Sequence, residues 1–251
     1  MTNSKPLAGK VAIITGAGRN IGRAIALMLA NDGASIIVNA RSNKAEADEV
    51  VAVIAKAGGK AVAVLGDVAD PATADHLANA AIKHFGRLDI LVNNAAIRRE
   101  ATLEELTLTA WREVMASTID ASFLGSKAVA PHMKRGGGGS IVNIGGLSAH
   151  TGAKGRAHVI TAKAGMIGLT RALAADLATD GITVNCVVPG LIDTSRDASV
   201  ALPSHHQVSR TLVGRLGTPD EIAGAVAYLV GPSGRYVTGQ TLHVNGGAYL
   251  G

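Results

Sequence analysis

Cysteine, aromatic residues and long apolar runs are scarce in this 251-residue sequence, and each absence excludes a class of protein. The single cysteine, Cys186, excludes an internal disulfide and fits a reducing compartment, where we expect it to be a small buried residue. No run of about 18 apolar residues spans a bilayer and no apolar signal region begins the chain, so we expect a cytoplasmic protein without a membrane partner. Aromatic residues make up 2% of the chain, so Ala, Val, Leu and Ile must form the core.

Charge of one sign is not concentrated anywhere in the chain. The sequence has 24 Lys and Arg against 19 Asp and Glu, and the net charge of +5 is spread without runs of like charge. This distribution gives slight support for an anionic small ligand and argues against nucleic acid. His205 and His206 have no cysteine or carboxylate at ligand spacing, so we expect no metal. The G-x-S-x-G turn of serine hydrolases is also absent.

A regular alternation of strand and helix patterns runs along the chain. Apolar strand patterns recur at 11–15, 35–39, 61–65, 88–92, 140–144, 182–188 and 241–244. Amphipathic helix patterns separate them, at 20–31, 43–57, 71–85, 104–134, 157–179 and 219–230. This order predicts an α/β fold, a Rossmann-like doubly wound parallel sheet of about seven strands with helices on both faces. No linker interrupts it, so we expect residues 1–251 to form one domain, with a substrate lid at 190–217.

The segment VAIITGAGRNIG, residues 11–22, has the order that phosphate binding requires. An apolar strand leads into a glycine-rich turn and then into a helix. The glycines let the backbone approach a ligand closely, and the helix N-terminus offers N–H groups and a partial positive charge. The segment therefore predicts a dinucleotide site.

The end of the second strand, IIVNARS, predicts which dinucleotide binds. Ala40 stands where an acid would bind the ribose hydroxyls of NAD, and Arg41 follows it. Arg19, inside the glycine turn, can reach the same 2′-phosphate. Two guanidiniums without a carboxylate favour NADP(H) over NAD(H). The alternative is that both arginines are ordinary solvated side chains.

Taken together, the motifs resemble those of the short-chain dehydrogenase/reductase family over essentially the whole chain. The matching segments are TGAGRNIG (15–22), GDV (66–68), NNAA (93–96), TAKAG (161–165), NCVVPGLIDT (185–194) and a closing GRLGTPDEIA…TGQTLHVNGG. The resemblance implies a carbonyl or secondary-alcohol substrate and a homotetramer or dimer. It also implies that Asp67 and Val68 border the adenine, that Asn94 and Ala95 line the ribose, and that residues 189–194 hold the nicotinamide.

The turn and the resemblance together predict a set of cofactor-binding residues. The set is Gly16, Gly18, Arg19, Asn20, Ile21, Gly22, Arg41, Asp67, Val68, Asn94, Ala95, Ala96, Lys163, Pro189, Gly190, Ile192 and Thr194. Two members depart from the family pattern, because Asn20 and Ala96 stand where the family has glycine. Asn tolerates a positive φ better than other non-glycine residues and is a good helix cap, and Ala96 adds one methyl group, so we expect the site to be retained.

The catalytic positions depart further from the family, whose members resemble one another in a Tyr-x-x-x-Lys pair supported by a serine and an asparagine. Lys163 matches the lysine, but Val159, Gly146 and Thr118 stand at the tyrosine, serine and asparagine positions. Valine cannot donate a proton, and losing a positioned general acid typically costs roughly 10²–10⁴-fold in rate. We therefore expect Lys163 to bind the nicotinamide ribose more than to act as an acid or base.

Several residues remain alternatives for the missing proton donor. Ser148 and His150 follow the fifth strand, near the expected substrate, whereas His158 points about 100° away from Val159 around its helix. The simpler alternative is that all three are ordinary polar residues. The sequence 98–100, Arg-Arg-Glu, either recognises an anionic substrate or forms a solvated loop.

Three functions stay open. The first is an NADP(H)-dependent oxidoreductase with a nonstandard proton donor. The second is a catalytically degenerate NADP(H)-binding protein that acts as a sensor or an assembly partner. The third is a non-redox isomerase or dehydratase on the same scaffold, which no pair of residues in the sequence supports.

Overall fold

The computed structural model describes residues 5–194 and 211–251, and it arranges them around one seven-stranded sheet. The strands are β1 (Val11–Ile14), β2 (Ser35–Ala40), β3 (Lys60–Leu65), β4 (Ile90–Asn93), β5 (Gly139–Ile144), β6 (Ile182–Pro189) and β7 (Thr241–Val244). Their order is β3-β2-β1-β4-β5-β6-β7, and every neighbouring pair is parallel. The predicted Rossmann-like sheet is confirmed.

Helices cover both faces of the sheet, as the alternating pattern predicts. They are α1 (Asn20–Asn31), α2 (Lys44–Lys56), α3 (Pro71–Phe85), α4 (Leu108–Met115), α5 (Ala121–Arg135), α6 (Ser148–Thr151), α7 (Ala157–Leu177) and α8 (Pro219–Val230). One core cluster joins the sheet to α1, α2 and α8, and a second joins its other face to α3, α5 and α7. Side chains alternate between the two faces along a strand, so Ile14 enters the first cluster and Ile13 the second. Both are fully buried, which explains the continuous apolar strand patterns.

The single helix predicted over 104–134 is wrong, because the structure divides it. Thr107 caps α4 by accepting a hydrogen bond from the Ala110 N–H at 3.1 Å, so the helix begins there and not at 104. A π-helical turn at Ala116–Asp120 then separates α4 from α5. The Ser122 hydroxyl donates to the Thr118 carbonyl at 2.7 Å, a side-chain bond of the kind that bends helices.

Two smaller expectations also need correction. The short helix α6 follows β5 in a segment where no helix was predicted. The glycine run 136–139 is a turn only as far as 138, because the Gly139 N–H bonds to the Gly181 carbonyl at 3.2 Å and Gly139 begins β5. Across residues 5–194 and 211–251, no helix combines the length and apolar composition needed to cross a membrane.

The sheet order places a crevice at the carboxyl ends of β1 and β4. Chain connections from β1 run first to one side, through β2 and β3, and then return to β4 on the other side. In open α/β sheets ligands bind where the strand order reverses in this way. Of the predicted lid, 190–194 and 211–217 are joined by a parallel bridge between Ile192 and Gly217, while the rest lies outside the described residues.

Candidate functional site

A cavity of about 650 Å³ occupies this crevice. Its lining residues are Gly16, Arg19, Asn20, Ile21, Gly22, Asn39, Arg41, Gly66, Asp67, Val68, Asn94, Ala95, Ala96, Ile97, Arg98, Arg99, Ser117 and Thr194. Most of the residues predicted to bind a dinucleotide are in this list, although they come from distant parts of the sequence. Four arginines and one aspartate line the cavity, so its walls carry a net positive charge suited to phosphates.

The glycine turn needs its glycines for conformation and for space. Gly16 has a φ of +61°, and a Cβ added at Gly22 would lie 2.3 Å from the Gly16 carbonyl oxygen. The same Cβ would lie 2.6 Å from the Asn94 Nδ2 atom. A larger residue at Gly22 would therefore prevent the first turn of α1 from packing against the glycine turn and the end of β4.

Asn20 adopts the left-handed conformation expected for its turn position. Its φ is +51°, and no other non-glycine residue in the described ranges has a positive φ. The N-cap position of α1 falls on Arg19, so Asn20 suits the turn through its backbone and not as a cap. No side chain of that N-cap residue bonds to the end of α1, which leaves this helix terminus suited to an anionic ligand.

Asn94 joins the end of β4 to the glycine turn. Its Nδ2 group donates to the carbonyl oxygens of Thr15 at 2.9 Å and Gly16 at 3.0 Å. The Thr15 hydroxyl oxygen in turn accepts from the Asn94 and Ala95 N–H groups, at 3.0 and 3.1 Å. Both amide hydrogens of Asn94 are used in this way, so its Oδ1 is the side-chain atom suited to contact a ligand.

Asn39, a lining residue that the sequence analysis missed, plays the corresponding role in β2. It is 1% exposed, and its Oδ1 accepts from the Gly16 N–H at 3.3 Å. Its Nδ2 donates to the carbonyls of Val64 at 3.2 Å and Gly66 at 3.1 Å. The amide thus ties the glycine turn to β3. A polar residue inside the apolar strand SIIVNA was the signal that could have identified it.

Five predicted cofactor residues do not line the cavity. Gly18 faces α2, since a Cβ added there would lie 3.1 Å from the Glu46 Cβ. Pro189 and Ile192 are buried at the carboxyl end of β6, and the Gly190 N–H donates to the Val244 carbonyl at 2.9 Å. Their contact with a nicotinamide stays a prediction, as does that of Lys163.

Lys163 lies on α7 below the end of β5. Its side chain is 5% exposed, and its Nζ donates a hydrogen bond to the Ile144 carbonyl. Burial disfavours the ammonium form and lowers the pKa of Lys163 to about 7. The positive charge of Arg98 acts in the same direction, whereas Cys186 acts weakly in the opposite one.

The structure gives the surroundings of the three residues that the sequence analysis placed at the family's tyrosine, serine and asparagine positions. Val159, one helical turn before Lys163, is 4% exposed and packs with Val114 and Ala162 in a small apolar cluster. A Cβ added at Gly146 would meet the Lys163 Cγ at 3.7 Å and no other neighbour within 4 Å. Thr118 is buried in the π-helical turn, and its carbonyl accepts from Ser122.

The candidate replacement donors lie outside the cavity lining. Ser148 begins α6, and the His150 ring on that helix lies 4.5 Å from the His243 ring and 5.1 Å from the Tyr249 ring, centre to centre. Burial lowers the pKa of His150 and of His158, the latter helped by Arg156. Proton donation by any of them stays a prediction.

Of the other described residues singled out from the sequence, only the two arginines after β4 line the cavity. Arg98 and Arg99 line the cavity, and Arg99 forms an exposed ion pair with Glu113 at 2.5 Å. Cys186 is fully buried, and burial raises the pKa of its thiol to about 11. Within the described part of the chain, no three His, Cys, Asp or Glu side chains are grouped to hold a metal ion. The His205–His206 pair lies outside the described residues.

Known proteins are similar to this chain in sequence and in fold. Residues 16–249 match the family model described as enoyl-(acyl carrier protein) reductase. The chain is 40% identical over 245 residues to the 3-oxoacyl-[acyl-carrier-protein] reductase of Synechocystis sp., covering 97% of this chain and 98% of that protein. A short chain dehydrogenase from Burkholderia cenocepacia J2315 in complex with NADP superposes with a TM-score of 0.90 at 39% identity, covering 97% and 99% of the two chains. A 7α-hydroxysteroid dehydrogenase complexed with NADH and 7-oxo glycochenodeoxycholic acid gives a TM-score of 0.92 at 36% identity, over 98% of both chains.

Proposed function

Because this chain belongs to the short-chain dehydrogenase/reductase family, we propose that it is an NADP(H)-dependent oxidoreductase acting on a carbonyl compound or secondary alcohol. The observation that carries the proposal is the cavity where the strand order reverses. It combines a glycine turn that excludes larger side chains, a helix end without a side-chain cap, and four arginines. This donor set fits the phosphates of a dinucleotide.

The arginines support NADP(H) over NAD(H). Arg19, in the glycine turn, and Arg41, after β2, both line the cavity, and Ala40 provides no carboxylate to bind the ribose hydroxyls. The Burkholderia relative was solved with NADP, whereas the hydroxysteroid dehydrogenase was solved with NADH, so the fold alone does not decide the cofactor. The guanidiniums of Arg41, after β2, and of Arg19, in the glycine turn, are the local feature that favours NADP(H).

Within the proposed complex, each wall of the cavity has a separate task. The N–H groups at the start of α1 hold the pyrophosphate, and Arg41 with Arg19 holds the 2′-phosphate. Asp67 and Val68 border the adenine, and the Oδ1 of Asn94 faces the ribose. When bound, the nicotinamide supplies the hydride. The substrate side of the cavity contains Arg98 and Arg99, which suits an anionic carbonyl substrate.

We further propose that Val159, Gly146 and Thr118 occupy the family's tyrosine, serine and asparagine positions. None of these three residues can act as an acid near neutral pH, so any turnover depends on another proton donor. Ser148 and His150 remain candidates by sequence position.

A second candidate function is an NADP(H) sensor or assembly partner without turnover. The burial of Val159 in an apolar cluster with Val114 and Ala162 favours it, because a side chain packed there cannot take part in proton transfer. The cytoplasmic location and the homo-oligomer remain predictions under both functions.

Incubation of the protein with NADPH and a panel of carbonyl compounds tests the proposal. The name of the Synechocystis relative makes a 3-oxoacyl thioester the first substrate to try. The proposal predicts substrate-dependent loss of the absorbance of reduced nicotinamide, with formation of the matching alcohol. Tight NADPH binding with no alcohol formed from any compound would contradict it and favour the sensor.

A further inference from the structure

We propose that the carbonyl substrate of this site is a free oxo acid, whose carboxylate is bound by the guanidinium of Arg98. The inference rests on the proposed oxidoreductase function and narrows it, because it favours a free acid over a 3-oxoacyl thioester. It also decides between the two interpretations of the sequence 98–100, a solvated loop or a segment that recognises an anionic substrate.

The segment after β4 carries Arg98 along one wall of the cavity. At the start of this segment the Ala95 N–H donates to the Thr15 hydroxyl at 3.1 Å, which fixes it beside the glycine turn. At its far end the Ala101 N–H donates to the Gly155 carbonyl at 2.9 Å, in the loop that leads into α7. Arg98 therefore lies on a segment held at both ends, between the dinucleotide turn and α7.

Ile97 places this part of the wall beside the residue at the family's tyrosine position. Its side chain lines the cavity and also packs against the small apolar cluster that contains Val159. Arg98, the next residue, lines the same cavity, and its charge contributes to the lowered pKa of Lys163, one helical turn beyond Val159. Under the proposed function, the Arg98 end of the cavity is therefore the end that receives the substrate carbonyl.

The cofactor does not need the positive charge of Arg98. The anionic groups of NADP(H) are the pyrophosphate and the 2′-phosphate, which the proposed complex assigns to the start of α1 and to Arg41 with Arg19. Among the described residues that line the cavity, Asp67 is the single acid, and it belongs to the predicted adenine end. A guanidinium at the substrate end thus fits a carboxylate of the ligand, which it can bind through two parallel hydrogen bonds.

A free acid and a thioester differ in the group beside the reacting carbonyl. In a 3-oxo acid that group ends in a carboxylate, whereas in a 3-oxoacyl thioester it is neutral and the acyl chain on the other side is apolar. A guanidinium that faces a neutral or apolar group loses water without gaining a charged partner, which is unfavourable.

The other lining residues at this end also suit a polar substrate. Beyond the predicted ribose contacts, the described lining residues that follow β4 and β6 or lie in the π-helical turn are Ala96, Ile97, Arg98, Arg99, Ser117 and Thr194. Polar side chains outnumber apolar ones in this set. The described lining therefore offers little apolar surface for a long acyl chain.

Binding to the complex with oxidised cofactor tests the proposal without turnover. The protein is saturated with NADP⁺ and titrated calorimetrically with a series of 2-, 3- and 4-oxo acids and with the methyl ester of each. Acid and ester share the carbonyl and differ in charge. We expect the preferred acid to bind about 10- to 150-fold more tightly than its ester, the range for a hydrogen bond to a charged group. If no acid in the series binds more tightly than its ester, the proposal is wrong.

Substitutions at Arg98 test the assignment to this residue. Arg98 is exposed, so its replacement should not disturb folding. Arg98→Gln should abolish the preference for the acid and leave the affinity of the ester unchanged, whereas Arg98→Lys, which keeps the charge but not the paired donors, should retain part of the preference. Arg112→Gln, which removes the same charge from an exposed residue of α4 outside the cavity lining, is the matched control and should change neither affinity. An Arg98→Gln variant that still prefers the acid would overturn the assignment.

The outcomes separate this inference from the proposed function. If an oxo acid is reduced, kcat/KM for that acid should fall about 10- to 150-fold in Arg98→Gln. A 3-oxoacyl thioester that is reduced more efficiently than every free acid would overturn the inference and leave the oxidoreductase function intact. Failure of the unmodified protein to bind NADPH or NADP⁺ would instead remove the proposed function, and the inference with it.

Discussion

Under the proposed function, side chains near the end of β2 select between NADP(H) and NAD(H). Ala40 is followed by Arg41, whose guanidinium lines the cavity together with that of Arg19. The fold does not determine which residue stands at this strand end, because enzymes that use NAD and enzymes that use NADP carry different residues there. Cofactor preference is therefore a property that one substitution should change.

Replacing Arg41 by alanine should weaken NADPH binding and leave NADH binding unchanged. A hydrogen bond to a charged group contributes about 1.5–3 kcal/mol, so the loss should be about 10- to 150-fold in affinity. Calorimetric titration of each dinucleotide measures it. Arg135→Ala is the matched control. Arg135 ends α5 just before β5 begins, so it lies at the amino ends of the strands, whereas the cavity lies at their carboxyl ends. Equal losses of NADPH and NADH affinity would show that Arg41 does not contact the 2′-phosphate.

The sequence predicted individual residues well where their role is local. The turn position of Asn20 predicted a positive φ, and the structure has it at +51°. The role of Asn39 was missed because its partners, Gly16, Val64 and Gly66, come together only when three strands are adjacent. The burial of Lys163 was missed for the same reason, because it depends on how α7 packs on β5.

The junction of the glycine turn with α1 depends on a glycine at residue 22. A Cβ there would lie 2.3 Å from a carbonyl oxygen, so Gly22→Ala must displace either the turn or Asn94. We expect a loss of about 1–3 kcal/mol in the free energy of unfolding and the loss of NADPH binding. Denaturant unfolding and calorimetry measure the two effects.

Gly224→Ala provides the comparison for Gly22→Ala. Gly224 lies in α8 with nothing within 4 Å of an added Cβ, so alanine should raise the free energy of unfolding by about 0.5–1 kcal/mol. If both variants behaved alike, the close approach at Gly22 would not be what fixes the turn.

Helix boundaries were predictable where the sequence contains capping residues. Asp70 accepts from the Ala72 N–H before Pro71, and Thr218 with Glu221 forms a capping box, so α3 and α8 have their predicted bounds. The break between α4 and α5 was not predicted, because the π-helical turn Ala116–Asp120 contains no glycine or proline that would signal a helix end.

The whole molecule brings the site together through its topology. The turn after β1, the ends of β2 and β3 and the NNAA segment after β4 are distant in sequence, yet parallel strands in the order β3-β2-β1-β4 place them at one edge. The alternation of elements predicted that edge as the ligand site. The predicted nicotinamide end involves β6, residues 190–194 and Lys163, and there the sequence predicted the residues but not how they pack.

The most direct test of this account is a calorimetric titration of the unmodified protein with NADPH and with NADH under the same conditions. The account predicts micromolar or tighter binding of NADPH, with NADH at least about tenfold weaker, a difference of about 1.4 kcal/mol from contacts to the 2′-phosphate. Binding of neither dinucleotide, or equal binding of both, would contradict it.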